Sequence, residues 1–171
     1  HSLVDSEYNR RRQECEIGVQ ILADRFPAVR ALRDADLTML RACRDQLEPV
    51  IYQRCHHVIT ENERVLKSIA ALKAGDLPTF GQLLNQSHDS LRDDYEVSCA
   101  EVDLLVELAR KVEGVLGARI TGGGFGGCTV NLIHAEAVDE FSTRVLSAYR
   151  KQTGNDAQVY VSTAANGAEI L

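Results

Sequence analysis

Five glycines within six positions separate two segments that have the composition of β-strands. The run comprises Gly122, Gly123, Gly124, Phe125, Gly126 and Gly127. Glycine loses more backbone freedom on folding than any other residue, at roughly 1–2 kcal/mol for an ordered residue, so stability does not explain the run. It indicates a sharp turn with positive φ, or a place where a backbone or a phosphate comes too close for a side chain. A tight hairpin remains the alternative, although a two-residue turn would serve a hairpin equally well.

The spacing of the run also fits the G-x-G-x-x-G motif of dinucleotide-binding loops, but the residues after it do not. That motif requires a helix directly after the glycines. Here the next residues, 128–133, alternate in character as a strand does, with Cys128, Val130 and Leu132 on one face. No Gly-Lys-Ser/Thr follows the glycines either. The sequence therefore favours neither a Rossmann loop nor a P-loop.

The hydrophobic period changes from helical to strand-like near Gly114. Before that residue the spacing predicts helices over 7–23, 37–47, 49–75, 76–94 and 98–113. After it the pattern predicts strands over 117–121, 128–133 and 157–163, a helix over 136–151, and a short partner strand over 168–171. This order indicates an α+β fold in which helices cover one face of a small, mostly antiparallel sheet.

Several local signals refine this prediction. Ser6 is a candidate N-cap for the first helix, and residues 98–101 have the pattern of a capping box. Val65, Ile69 and Leu72 continue a stripe from Val58 with the spacing of one buried helix face.

Composition restricts the partners that the chain could have. The 171 residues carry a formal net charge of −6, which argues against nucleic acid and anionic membranes. No apolar run reaches the ~18 residues of a membrane span. The five cysteines are scattered without a C-x-x-C pair, so we expect free thiols and a cytoplasmic protein. The chain opens on His-Ser-Leu without an initiator Met, which suggests a piece of a longer protein.

Two groups of acidic and imidazole side chains could carry chemistry. His57 and Glu61 share a helix face, but a metal would need a third ligand, so a solvated or salt-bridged pair is favoured. Asp93 and Asp94 could bind Mg²⁺ or act as a base, but neighbouring carboxylates diverge on a helix, so a solvated turn is favoured.

The arginines near these groups also allow two interpretations. Residues 10–12 are three consecutive arginines, which could clamp a phosphate but point in three directions on a helix. Surface and inter-domain ion pairs are therefore the favoured interpretation. Arg119 lies three residues before the glycines. It could approach an anion, or it could be an exposed side chain at the strand edge without a ligand. No lysine follows the loop, and no carboxylate is placed in the sequence to act as its base, so this chain holds only part of a catalytic site.

Residues 117–130, GARITGGGFGGCTV, closely resemble the third signature of the galactokinases in the GHMP small-molecule kinase superfamily. Segments 6–16, 57–64 and 87–98 resemble further blocks of the same family, so the resemblance spans nearly the whole chain. Ile120 stands where many members have Met, and His56 stands where Arg is common.

The resemblance implies ATP-dependent phosphorylation of galactose to galactose 1-phosphate, the entry step of the Leloir pathway. It implies that residues 1–171 are the GHMP kinase C-terminal domain, ferredoxin-like with extra helices, mainly helical over 1–114 and strand-loop-strand-helix-strand over 115–171. The catalytic groups and the main grip on ATP and Mg²⁺ belong to an N-terminal kinase domain that is absent here. We therefore expect no catalytic group and no metal ligand in this chain, which would be inactive alone.

Two features carry over from the family by position. Tyr8 matches the tyrosine that contacts the sugar, and residues 122–127 match the loop near the nucleotide phosphates. Two other functions stay open: a non-catalytic sugar-sensing regulator with the same fold, and a related kinase acting on N-acetylgalactosamine or arabinose. The block at 91–98 is assigned no role beyond local structure.

Overall fold

The computed structural model describes residues 2–165. It contains six α-helices and one β-hairpin within that range, joined by three short 3₁₀ turns. The helices are α1 (Ser2–Arg25), α2 (Leu37–Ala42), α3 (Pro49–Lys73), α4 (Leu77–Asp93), α5 (Ala100–Arg110) and α6 (Val138–Thr153), and the strands are β1 (Val115–Thr121) and β2 (Cys128–Ile133). None of the described helices combines the length and the apolar character that crossing a membrane requires.

The helices of the first half enclose one apolar core. Leu22 on α1, Leu40 on α2 and Cys55 on α3 are each fully buried in it. Asp36 begins α2 as its N-cap, because its side chain accepts a hydrogen bond from the amide of Met39 at 2.8 Å. α3 begins at Pro49 as the sequence predicts, because proline suits a first helical position.

The two strands pair antiparallel, with Arg119 opposite Val130. The free edge of β1 is covered by α4: the amide of Ala118 donates to Oδ1 of Asn85 at 2.9 Å, and the amide of Ile120 donates to Nδ1 of His88 at 3.3 Å. Side-chain acceptors thus take the place of a neighbouring strand and leave no open sheet edge there.

Close contact between two glycines brings α4 against β1. A Cβ on Gly81 would lie 2.2 Å from the carbonyl oxygen of Leu116, and one on Gly117 would lie 2.2 Å from the oxygen of Gly81. Ala118 on β1 packs into a second core together with Phe141 of α6 and residues of α5. The hairpin that ends in the glycine run is therefore fixed on two sides.

The prediction of a strand over 157–163 is wrong, because within the described residues the sheet has two strands only. Val159 packs against the second core, but Tyr160 and Val161 are exposed. Alternating residues give this segment a strand pattern, but among the described residues it pairs with neither strand of the sheet. The predicted partner strand over 168–171 lies outside the described residues.

Three smaller predictions are also wrong. α1 begins at Ser2, so Ser6 lies inside the helix instead of capping it. α5 has Cys99 as its N-cap without a side-chain bond, because the hydroxyl of Ser98 is directed to Asp103.

The third wrong prediction is that Val65, Ile69 and Leu72 form a buried face of α3. Val65, Ile69 and Leu72 are each about half exposed. They line the rim of a groove between α3 and α4, with Phe80 and Leu83 on the opposite side. Periodicity predicts that these residues share a face, but it does not decide whether another element covers that face.

Candidate functional site

The glycine run forms the connection between β1 and β2. The φ angles of Gly122, Gly124, Gly126 and Gly127 are +90°, +89°, +128° and +101°, so the positive φ that the sequence predicts is present. A Cβ built on Gly122, Gly123, Gly126 or Gly127 would meet no heavy atom within 4 Å. At these positions the space beside the loop is open, and a nucleotide phosphate or a second backbone could approach it.

One part of the loop is attached to the rest of the chain. The amide of Phe125 donates to the carbonyl oxygen of Val97 at 2.6 Å. A Cβ on Gly124 would lie 2.6 Å from that same oxygen and 2.7 Å from Cβ of Val97. The middle of the loop is thus anchored on the segment between α4 and α5, while the glycines on either side face open space.

Tyr8 lies on α1 with 60 % of its surface exposed. Arg11, one helical turn further along, is buried and contacts the segment that anchors the loop. Its Nε donates to the carbonyl oxygen of Tyr95 at 2.7 Å, and its guanidinium carbon lies 5.7 Å from the centre of the Phe125 ring. The structure therefore brings the α1 turn of Tyr8 and the glycine loop to the same segment.

Residues 94–97, to which the glycine loop is bonded, form the loop-anchoring segment. This segment is held on its α3 side by Arg54, which is 1 % exposed. Arg54 donates to Oε2 of Glu14 at 2.7 Å, to the carbonyl oxygen of Asp94 at 2.5 Å and to Oε2 of Glu96 at 2.5 Å. Burial acts to raise the pKa of Glu14, but the hydrogen bonds from Arg54 and Arg10 outweigh it, so the pKa lies below its ordinary value. The pair is therefore charged and fully hydrogen-bonded inside the protein.

The sequence did not single out Arg54, although it contained a signal. This arginine occurs among Ile51, Cys55 and Ile59, which the structure buries on α3. A charged residue at helical spacing within an apolar face is rarely left unpaired.

His57 and Glu61 do not form the solvated or salt-bridged pair that the sequence favours. Nδ1 of His57 lies 2.9 Å from Oγ of Ser90, and its ring stacks on Tyr95 with centroids 4.6 Å apart. Burial lowers the pKa of His57 to about 4, so the imidazole is neutral near neutral pH.

Glu61 forms a separate cluster on the next turn of α3. It accepts from Oγ of Ser87 at 2.6 Å and from Nε of Arg64 at 2.7 Å. Burial acts to raise the pKa of Glu61, but these two bonds keep it below its ordinary value. Arg119 lies 3.5 Å from the same carboxylate, so it is paired within this chain.

Asp93 and Asp94 diverge as predicted. Asp93 is exposed and pairs with Arg92 at 2.8 Å. Asp94 is half-buried, accepts from Oγ of Ser90 at 2.8 Å and faces Nδ1 of His56 at 3.0 Å. Asp94 is thus part of the support for the loop-anchoring segment and not a solvated turn.

The three consecutive arginines differ in their environments. Arg10 pairs with Glu14 at 3.0 Å and Arg12 with Glu16 at 2.9 Å, both with exposed guanidiniums, as the prediction of surface ion pairs requires. Arg11 is the exception, because it is buried and bonds to main-chain oxygens.

Across residues 2–165, no group of three or more His, Cys, Asp and Glu side chains has the arrangement needed to hold a metal ion. The loop itself fits a different ligand, because it presents glycine backbone with open space beside it. The arrangement leaves room for an anionic group beside the loop, and the carboxylates of Glu61 and Glu96 are already paired with arginines of this chain.

Known proteins share the sequence pattern and the fold of this chain. Residues 68–151 match a family model described as GHMP kinases C terminal. A galactokinase of Chloroflexus aggregans is 48 % identical over the whole chain, and one of Roseiflexus sp. is 46 % identical over 97 % of it. The chain spans only 44 % and 42 % of the length of these curated relatives.

A solved structure supports the same assignment. The crystal structure of Lactococcus lactis galactokinase complexed with galactose matches with a TM-score of 0.87 at 38 % identity, covering 91 % of this chain and 40 % of that one. The α+β fold and the galactokinase resemblance predicted from sequence are thus confirmed. Residues 68–151 match the GHMP kinase C-terminal family model, and over its full length the chain is similar to galactokinases.

Proposed function

We propose that this chain is the C-terminal domain of a galactokinase that transfers a phosphate from ATP to galactose and forms galactose 1-phosphate. The observation that carries the proposal is the similarity over the full chain to galactokinases, together with the match to a galactokinase structure that contains galactose. An N-terminal kinase domain would be its partner and would supply the catalytic base, the Mg²⁺ site and most of the ATP-binding contacts. The location would be the cytoplasm.

Within this proposal the chain forms one wall of a cleft. Tyr8 would contact the sugar, and residues 122–127 would lie against the nucleotide phosphates. Phosphoryl transfer depends mainly on positioning and on electrostatic stabilisation, so a rigid backbone wall contributes to catalysis without a reacting side chain. The open positions at Gly122, Gly123, Gly126 and Gly127 support this role, because a side chain there would occupy the space that a phosphate needs.

The test is to measure ADP formation with galactose for two polypeptides. One is this chain alone, and the other is the product of its gene with any coding sequence that flanks the chain. We expect turnover only from the longer product. Turnover by this chain alone would overturn the assignment of the catalytic base and the phosphate-binding groups to another domain.

The substrate panel separates the other functions. A longer product that binds galactose without forming ADP would indicate a sugar-sensing regulator. One that phosphorylates N-acetylgalactosamine or arabinose in preference to galactose would indicate a related sugar kinase.

A further inference from the structure

Two residues near the hydrogen bond between Phe125 and Val97 have unusual backbone conformations. Glu96 has φ of +52° and Phe125 has φ of +62°, and among the described residues no other non-glycine residue has positive φ. L-residues adopt this region at an energetic cost, which persists only where surrounding contacts enforce it. The neighbours of these two residues therefore identify what holds the loop in place.

Arg11 contacts both of them. Its Nη2 donates to the carbonyl oxygen of Glu96 at 2.9 Å, and its Nε donates to that of Tyr95 at 2.7 Å. The same guanidinium lies over the Phe125 ring at 5.7 Å, within the range of a cation–π contact. Glu7 orients the third nitrogen from the previous turn of α1 at 3.2 Å.

The other side of the segment is fixed by α3. Arg54 binds the carbonyl oxygen of Asp94 and the carboxylate of Glu96, and His57 stacks on Tyr95. Arg54 thus belongs to the buried interior. Arg11 instead extends from α1 past the loop-anchoring segment and contacts the loop at Phe125. Because Arg11 follows Tyr8 by three residues, one rigid helix carries both the proposed sugar contact and the loop anchor.

We propose that Arg11 is a positioning residue that fixes the glycine loop relative to Tyr8. The sugar and the phosphate would then be held at a fixed distance and orientation to each other. It acts through the carbonyl oxygens of Tyr95 and Glu96 and through the ring of Phe125. The kinetic part of this proposal rests on the proposed galactokinase function, whereas the structural part does not.

The test compares Arg11→Lys with Arg12→Lys, its neighbour on the exposed side of α1. Lysine keeps the charge but lacks the planar fork that bonds two carbonyl oxygens at once. In hydrogen exchange, we expect protection of the Phe125 amide to fall at least about tenfold in Arg11→Lys, with the α3 amides unchanged. Arg12→Lys should leave both unchanged.

Kinetics of the longer gene product give the second measurement. Because a displacement of about 1 Å can cost up to about 100-fold in rate, we expect kcat per folded molecule to fall about 10- to 100-fold in Arg11→Lys, with a smaller change in KM. A merely structural role would reduce the folded fraction and leave kcat per folded molecule unchanged, and that result would overturn the proposal.

A second variant covers the case in which Arg11→Lys does not fold. Phe125→Gly removes the ring and the unfavourable φ but no bond of the buried core, so the protein should fold while loop protection and kcat fall together. Unchanged loop protection in either variant would refute the anchoring role. If the wild-type longer product has no galactokinase activity, the proposed function fails, but the exchange experiment still decides the role of Arg11.

Discussion

Replacing Gly124 by alanine tests whether the loop is anchored where the structure places it. Alanine at φ of +89° costs about 1–2 kcal/mol. The added Cβ would also lie 2.6 Å from the oxygen of Val97, where ordinary contact begins at 3.4 Å. Overpacking of this kind costs about 1–3 kcal/mol, so the strain totals about 2–5 kcal/mol.

The protein can escape that strain by releasing the loop. Release breaks the hydrogen bond from Phe125 to Val97, worth about 0.5–1.5 kcal/mol, and the contact of Phe125 with Arg11, worth about 0.5–1 kcal/mol. Because release costs less than the strain, we expect Gly124→Ala to detach the loop and not to unfold the core. The free energy of unfolding should fall by about 1–2.5 kcal/mol.

Urea denaturation followed by circular dichroism measures this loss, and hydrogen exchange at Phe125 reports the detachment. Gly123→Ala is the matched control, because its φ is not positive and a Cβ there meets nothing within 4 Å. The control should stay within about 0.5 kcal/mol of the wild type. A Gly124→Ala protein that keeps the wild-type protection at Phe125 would refute the anchored loop.

Three further predictions concern the scaffold. Gly81→Ala should destabilise by at least about 3 kcal/mol in urea denaturation, although alanine favours helix, because its Cβ would meet the Leu116 oxygen at 2.2 Å. The pKa of His57 is about 4 in the folded protein against 6.5 in the unfolded chain, so the unfolded chain binds the extra proton between these values. The free energy of unfolding should therefore decrease as the pH is lowered from 6.5 to 4, by up to about 1.4 kcal/mol per pH unit. A pH series of denaturation midpoints should show a smaller slope for His57→Gln, and an equal slope would contradict this. Asp36→Ala should cost about 1 kcal/mol by removing the cap bond to Met39, whereas no change in the unfolding midpoint would argue against it.

The candidate site was predictable only where local chemistry determines it. The glycine run has positive φ and open space because no other residue type adopts such backbone freely, and that information is in the sequence. The sequence predicts surface and inter-domain ion pairs for Arg11 as for its neighbours, because three consecutive arginines cannot be told apart without knowledge of the segment that covers one of them. Arg54 does carry a local signal, as a charged residue within an apolar helix face, but its partners Glu14, Asp94 and Glu96 lie about 40 residues away in the chain.

The sequence by itself determined the order of helices and the hairpin, since periodicity, the proline at α3 and the cap at Asp36 act within a few residues. Only the tertiary structure decided which of these elements meet. The contact of Gly81 with Gly117, the burial of Arg11 and the exposure of Ile69 depend on residues far apart in the chain. Local patterns carry no record of such partners, because the free energy of each contact belongs to the pair and not to either residue.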